Sequence, residues 1–214
     1  MTSVEKLVSI SSPPLAGPPH AAARVFEDFR LGPELQRMLE LKNGFYTFES
    51  ALHVFPHSSD SSAGMSLLEW NSDSLWRQEY FNVGRELLFF AEDIFQDQFC
   101  LSEMGIFRFK AETNVAAFMA DSIEGWAALI LRNYPSETGW PFAKKWQSEN
   151  GPLDHGKRLM PKTPFVLGGE YSTDNLWAGD AVEGMRFKAN IARQISDLPD
   201  GTRIKLLFGS EPAQ

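Results

Sequence analysis

Each group of residues best placed for chemistry in this chain lacks a component that the chemistry demands. Gly151-Pro152-Leu153-Asp154-His155-Gly156-Lys157 follows most of a phosphate-binding loop, yet Arg158 stands where a Ser or Thr hydroxyl would hold magnesium, and no apolar strand precedes it. Of the histidines His20, His53, His57 and His155, only His53 and His57 have the spacing of a helical ligand pair, and Pro56 between them interrupts such a helix. Asp93 and Asp97 approach a calcium loop without its regular oxygen donors, its turn glycine or its distal bidentate Glu. Gly64-Met65-Ser66-Leu67-Leu68 lacks the second glycine of a nucleophile elbow. Cys100, the single cysteine, lies in an apolar segment and reads as a buried, inert thiol.

The remaining candidates are carboxylates. Glu92 and Asp93 are neighbours, so a strand sends them to opposite faces and they cannot share a proton. They read as a solvated strand end. Loops at strand ends carry binding more often than strands do, and on that ground Glu92, Asp93, Asp97 and Glu103 are the expected partner-contacting cluster. No catalytic residue, metal ligand or cofactor site is expected.

The elements that must position these acids are concentrated between Glu86 and Leu131. Leu87-Leu88-Phe89-Phe90-Ala91 is wholly apolar and bounded by charge, which predicts a strand covered on both faces. Gln98 to Leu101 and Ile106 to Lys110 flank Glu103-Met104-Gly105 and predict a hairpin. Its second strand would place Phe107 and Phe109 on the core face, with Ile106, Arg108 and Lys110 opposite. A further strand over Val115 to Met119 precedes a helix capped by Asp121 and Glu124, whose Ile123, Trp126, Ala127, Ile130 and Leu131 recur at helical spacing.

Outside this run, Ser11 to Pro19 is rich in proline and glycine, so residues 1–20 read as an extended lead-in with folding starting near Ala21. Two short helices, Ala22 to Leu31 and Pro33 to Leu41, are expected before the Asn43-Gly44 stop, and His57 to Gly64 reads as a surface loop. Beyond Arg132 a helical stretch around Phe142 to Gln147 sits in a long connection, and ordered chain is expected again from Pro164 to Tyr171. A helix capped by Asp180 and Glu183 follows, with an uncharged face of Val182, Met185, Ala189, Ala192 and Ile195. The chain closes on a turn at Asp197 to Gly201 and a strand from Arg203 to Phe208.

At 214 residues and 43% hydrophobic, the chain can bury one substantial core. Its formal net charge of −8 argues against nucleic-acid binding, which rests on clustered Lys and Arg, and suits a basic partner. The lone cysteine excludes an intramolecular disulfide. There is neither a basic n-region with a sustained apolar core nor an apolar run long enough to span a bilayer, so a cytoplasmic protein without membrane contact is expected.

Leu41-Lys42-Asn43-Gly44-Phe45, the later Trp70 and Trp76, Leu88-Phe89-Phe90-Ala91-Glu92-Asp93 with Asp97-Gln98-Phe99, and Gly105 through Trp126 together form an ordered set that resembles the SUKH superfamily. That group includes the yeast cell-wall-assembly regulator and many bacterial immunity proteins. The resemblance spans Ala21 to Arg132 and divides the chain into the lead-in at 1–20, a SUKH-like core at 21–132 and a C-terminal extension at 133–214 packed on the same domain. It implies an α+β fold with a central, largely antiparallel sheet flanked by helices, no cofactor, no catalysis and a protein-binding role. In the immunity branch that role is to bind a cognate bacterial toxin, a basic nuclease or deaminase, and neutralise it by steric occlusion. The alternatives are an intracellular scaffold or adaptor without a toxin partner, and a small-ligand or hydrolytic protein using the acidic strand ends.

Overall fold

The structure, a computed structural model, describes the 214-residue chain except positions 20–23, 58–63, 82, 85, 200, 203 and 205–214. The serine-rich loop and the closing strand expected from sequence therefore lie mostly outside the described residues.

The first element is a helix, α1 (Ser3–Ser9), where an extended lead-in is expected from composition. Thr2 and Glu5 form a reciprocal capping box, and Leu7 is fully buried. A helix of seven residues is marginal alone. It is held here by packing on a later helix, whose Glu124 carboxylate accepts from the Ser3 and Val4 backbone N–H groups and so occupies the positive end of α1. The proline-rich stretch that follows is also tied down: Ser12 N–H donates to Tyr46 O at 2.8 Å, and Lys42 Nζ donates to the Val8 and Ser12 carbonyls at 2.7 and 2.8 Å. The chain thus docks from its first turn.

Of the helix expected over Ala22 to Leu31, the described part is a 3-10 turn at Arg24–Phe26. Helix α2 (Gly32–Leu41) starts with Pro33 in its first turn and buries Leu35, Met38 and Leu39. Gly44 then takes φ +69°, and a Cβ there would lie 2.7 Å from the Pro56 backbone, so only glycine fits the stop.

Strands β1 (Phe45–Thr47) and β2 (Leu52–Val54) form a hairpin whose turn residues Phe48, Glu49 and Ser50 all have positive φ. A short helix α3 (Leu67–Trp70), capped by Ser66 and Glu69, carries Trp70 into the core. Then β3 (Leu88–Asp93), β4 (Gln98–Ser102), β5 (Gly105–Lys110) and β6 (Val115–Ala120) complete a six-stranded antiparallel sheet in the order β1-β2-β3-β4-β5-β6. All of β3 is buried, as its apolar run requires. A register shift between Ile106 and Phe107 breaks the alternation expected for β5: Ile106 is fully buried and Phe107 only partly so.

Helix α4 (Ile123–Thr138) is capped by Ser122 rather than Asp121, and buries Ile123, Trp126, Ala127 and Ile130. Gly139, at φ +68°, separates it from α5 (Trp140–Asn150); a Cβ at this glycine would meet Ile94 and Phe95 side chains at 2.6 Å. Strands β7 (Lys157–Pro161) and β8 (Leu176–Asp180) form a second, two-stranded sheet, and Asp180 caps α6 (Ala181–Ile195) by accepting from Val182 and Glu183 N–H. The interval from Pro164 to Tyr171 contributes a 3-10 turn at Phe165–Leu167. Met185, Ala189 and Ala192 of α6 join the main core with Trp76, Phe89 and Trp126, so the C-terminal part is packed on the same interior as the sheet. This is an α+β fold.

Candidate functional site

Alternation along β3 sends its two terminal carboxylates to different faces, and each meets a guanidinium from a different part of the chain. Glu92 is 2% exposed; its Oε1 accepts from Arg158 Nε at 2.8 Å and lies 3.2 Å from His53 Nδ1, and its Oε2 accepts from Gln98 Nε2 at 3.3 Å. Tyr46 stacks on the His53 ring at 4.3 Å, and the Arg158 guanidinium sits 5.2 Å from the Tyr46 centroid. Burial alone would push the Glu92 carboxyl up, but Arg158, His53 and Gln98 together hold it below the usual carboxylate range. Burial, opposed by the Glu92 hydrogen bond and assisted by Arg158, pushes His53 down to about 4. The ring is neutral at physiological pH. A cavity of about 150 Å³ bounded by Tyr46, His53, Glu92, His155 and Asp180 lies beside this cluster.

On the other face, Asp93 is fully buried; its Oδ1 accepts from Phe95 and Asp97 N–H at 2.8 and 2.9 Å, and its Oδ2 pairs with Arg108 Nη2. Arg108 also pairs with Asp97 Oδ2 and Glu137 Oε2, each at 3.2 Å. Burial pushes the Asp93 carboxyl up, Arg108 and, more weakly, Lys188 pull it back down, and the Asp97 charge adds to the rise. The cluster forms the floor of a groove of about 380 Å³ between β5, the end of α4 and the segment at 165–171. Rings of Phe95, Phe142, Phe165 and Tyr171 contact one another along its wall, with Phe165 and Tyr171 stacked at 3.9 Å.

The four acids expected to form one contacting cluster are therefore divided. Glu92 and Asp93 are not a solvated strand end: each is enclosed with a guanidinium, on opposite faces. Asp97 is brought to Asp93 through Arg108, with its side chain 24% exposed. Glu103 stands apart in the exposed β4–β5 turn, where its backbone carbonyl accepts from Arg30 Nε at 3.0 Å. Arg30 also donates to the Asp121 carbonyl, bringing this turn beside the end of β6.

Arg108, Arg158, His53 and Lys188 were not legible as partners. Arg158, a charge followed by Leu159-Met160, carried a signal of burial, and Lys188 lies three residues after Met185 on the face of α6 expected to lack charge. That face in fact contains a buried cation: Lys188 is 2% exposed, and its ammonium donates to the Phe95 carbonyl.

The loop resembling a phosphate cradle instead leads into β7; Lys157 pairs with Asp154 at 3.0 Å and Arg158 turns inward to Glu92. Burial pushes the Cys100 thiol up to about 12, so it carries no thiolate at neutral pH. Among the described residues, no group of three or more His, Cys, Asp or Glu is arranged to hold a metal ion, and no helix is long and apolar enough to cross a membrane.

No protein-family model matches the chain, and no curated protein matches it. Among solved structures it is similar to Atu4351 from Agrobacterium tumefaciens, with a TM-score of 0.54 at 10% sequence identity over 86% of this chain and 87% of that one. At that identity the likeness concerns the fold.

Proposed function

We propose that this protein is a non-enzymatic immunity protein that binds a cognate bacterial toxin, a basic nuclease or deaminase domain, and neutralises it by steric occlusion in the cytoplasm. The observation that carries this reading is the outer edge of β6. Val115 and Phe118 are 53% and 57% exposed, Ala116 and Ala117 are exposed between them, and Met104 in the neighbouring turn is 76% exposed. Among the described residues the strand makes backbone hydrogen bonds only to β5. An open, apolar edge is a template for another chain, which natural sheets ordinarily blunt with Lys or Pro. Exposed Glu103 and Asp121 lie at one end of it, and the net charge of −8 steers a basic partner toward such a surface. The ordered residues that resemble the SUKH superfamily support the same role.

The test is co-expression with the toxin-like product of the adjacent gene, comparing the wild type with Phe118→Lys and with Glu103→Gln/Asp121→Asn. Wild type is expected to rescue growth and Phe118→Lys to lose both rescue and complex formation while staying folded, since the side chain is 57% exposed and gives up only its edge contact with the Phe107 ring. The double amide variant is expected to associate more slowly, with a weaker salt dependence. Binding without rescue would move the reading to an adaptor. Absence of both binding and rescue with the wild type would overturn it.

A further inference from the structure

Tyr46 on β1, His53 on β2 and Glu92 on β3 stand directly opposite one another across three antiparallel strands, so their side chains share one face of the sheet. We propose that the cavity beside them, of about 150 Å³, binds a small planar ring carrying an O–H or N–H donor, of which phenol is the simplest representative. An engineered apolar cavity of the same size, about 150 Å³, takes up benzene. The site lies at the opposite end of the sheet from the β6 edge and does not depend on the toxin-binding reading.

The state of the His53 ring selects the polar group of the ligand. Glu92 is ionised and can only accept, so the hydrogen between it and His53 Nδ1, 3.2 Å away, belongs to the ring. The ring is neutral, which leaves Nε2 as a lone-pair acceptor. The side chain is 7% exposed, and no group among the described residues donates to Nε2. A buried acceptor without a donor is costly, so this nitrogen calls for one. The carboxylates around it cannot serve. Glu92 accepts from Arg158 and His53 on Oε1 and from Gln98 on Oε2, and exposed Asp180, whose Oδ1 caps α6, is a further acceptor.

The rest of the wall selects the body of the ligand. Phe55 and Trp70, stacked at 4.8 Å, line the cavity with Met65 and Val182, and the Phe55 ring meets His53 edge-on at 4.4 Å. Apolar and aromatic surface thus begins beside the acceptor. Water can satisfy Nε2 but gains nothing from that surface, whereas a ring with one donor uses both.

The experiment is a titration of the full-length protein with phenol and with toluene, its near-isostere without the donor, followed by calorimetry and by the nitrogen chemical shifts of the His53 imidazole. Phenol should bind saturably and move the Nε2 resonance. Toluene should bind at least about tenfold more weakly, as expected when a buried acceptor is left without a donor. His53→Phe should remove the preference for phenol over toluene. Because that change also takes a partner from Glu92, Val182→Phe, which adds bulk at the wall and keeps His53, Glu92 and Arg158, serves as the second variant and should abolish saturable binding of phenol. Toluene binding as tightly as phenol to the wild type would overturn the assignment. So would phenol binding that leaves Nε2 unmoved or that survives Val182→Phe unchanged. The absence of saturable phenol binding would show a cavity that holds water only and would overturn it as well.

Discussion

Arg158 Nε donates to Glu92 Oε1 at 2.8 Å across 66 residues of sequence, with both side chains 2% exposed. A pair so enclosed is asymmetric under mutation, because removing one member leaves the other as an uncompensated buried charge. Arg158→Met should therefore lose about 3–5 kcal/mol. Arg158→Met combined with Glu92→Gln should recover part of that loss, since the stranded charge is gone. Urea melts of the two single variants and the double variant measure this coupling directly, and simple additivity would contradict it.

His53 makes the same cluster sensitive to acid. Its folded pKa of about 4 lies below the ordinary value of 6.5, so between these pH values the unfolded chain takes up a proton that the folded ring refuses. The stability is present above pH 6.5 and is lost as pH falls toward 4, by about 3 kcal/mol over the whole window. Glu92, also held low, adds to the loss at the acid end. The His53→Asn variant should show a flatter decline than the wild type over the same window, measured by denaturant midpoints at each pH. Parallel curves would place the sensitivity elsewhere.

The proline-rich composition of Ser11 to Pro19 leads to the expectation that deleting Met1 to Pro19 leaves the melting temperature nearly unchanged. The docking of α1 reverses it. Leu7→Ala, at a fully buried position, should cost about 2–5 kcal/mol, and each kcal/mol should lower Tm by about 2–4 °C in a domain of this size. Glu124→Gln should cost less, because the amide oxygen can still accept from Ser3 and Val4 while losing its charge at the helix end. Thermal melts of the two variants rank these effects; no loss from Leu7→Ala would argue that α1 does not dock.

Simple alternation along β5 ranks Phe107→Ala as far more costly than Arg108→Ala. The structure inverts that ranking. Phe107 is only partly buried, whereas Arg108 is the shared partner of Asp93, Asp97 and Glu137. Arg108→Ala should cost about 3–5 kcal/mol by stranding the buried Asp93 charge. Phe107→Ala should fall at or below the low end of the 3–5 kcal/mol typical of large-to-small core changes. Equilibrium denaturation of both variants decides the order.

Local chemistry was sufficient for the elements whose signals are contained within a few residues. The apolar run Leu88 to Ala91, the hairpin around Glu103-Met104 and the Asp180 cap are all present in the structure as read, while the face of α6 expected to lack charge also buries Lys188. So is the divergence of Glu92 and Asp93, which follows from the two-residue period of a strand. Even α1 carried a local mark, the Thr2 and Glu5 capping box ahead of Leu7, overshadowed by the prolines that follow.

What the tertiary structure decided is which charges meet. No spacing rule connects Glu92 to Arg158, Asp93 to Arg108, Glu124 to Ser3, or Lys188 to the Phe95 carbonyl. The pairing of β7 with β8 and the aromatic wall from Phe95 to Tyr171 depend likewise on segments that are adjacent only after folding. Burial makes the difference between an acid that merely solvates a surface and one that requires a particular guanidinium. Whether a given carboxylate is buried depends on the whole chain, because covering it takes atoms from elements that its own neighbourhood does not contain.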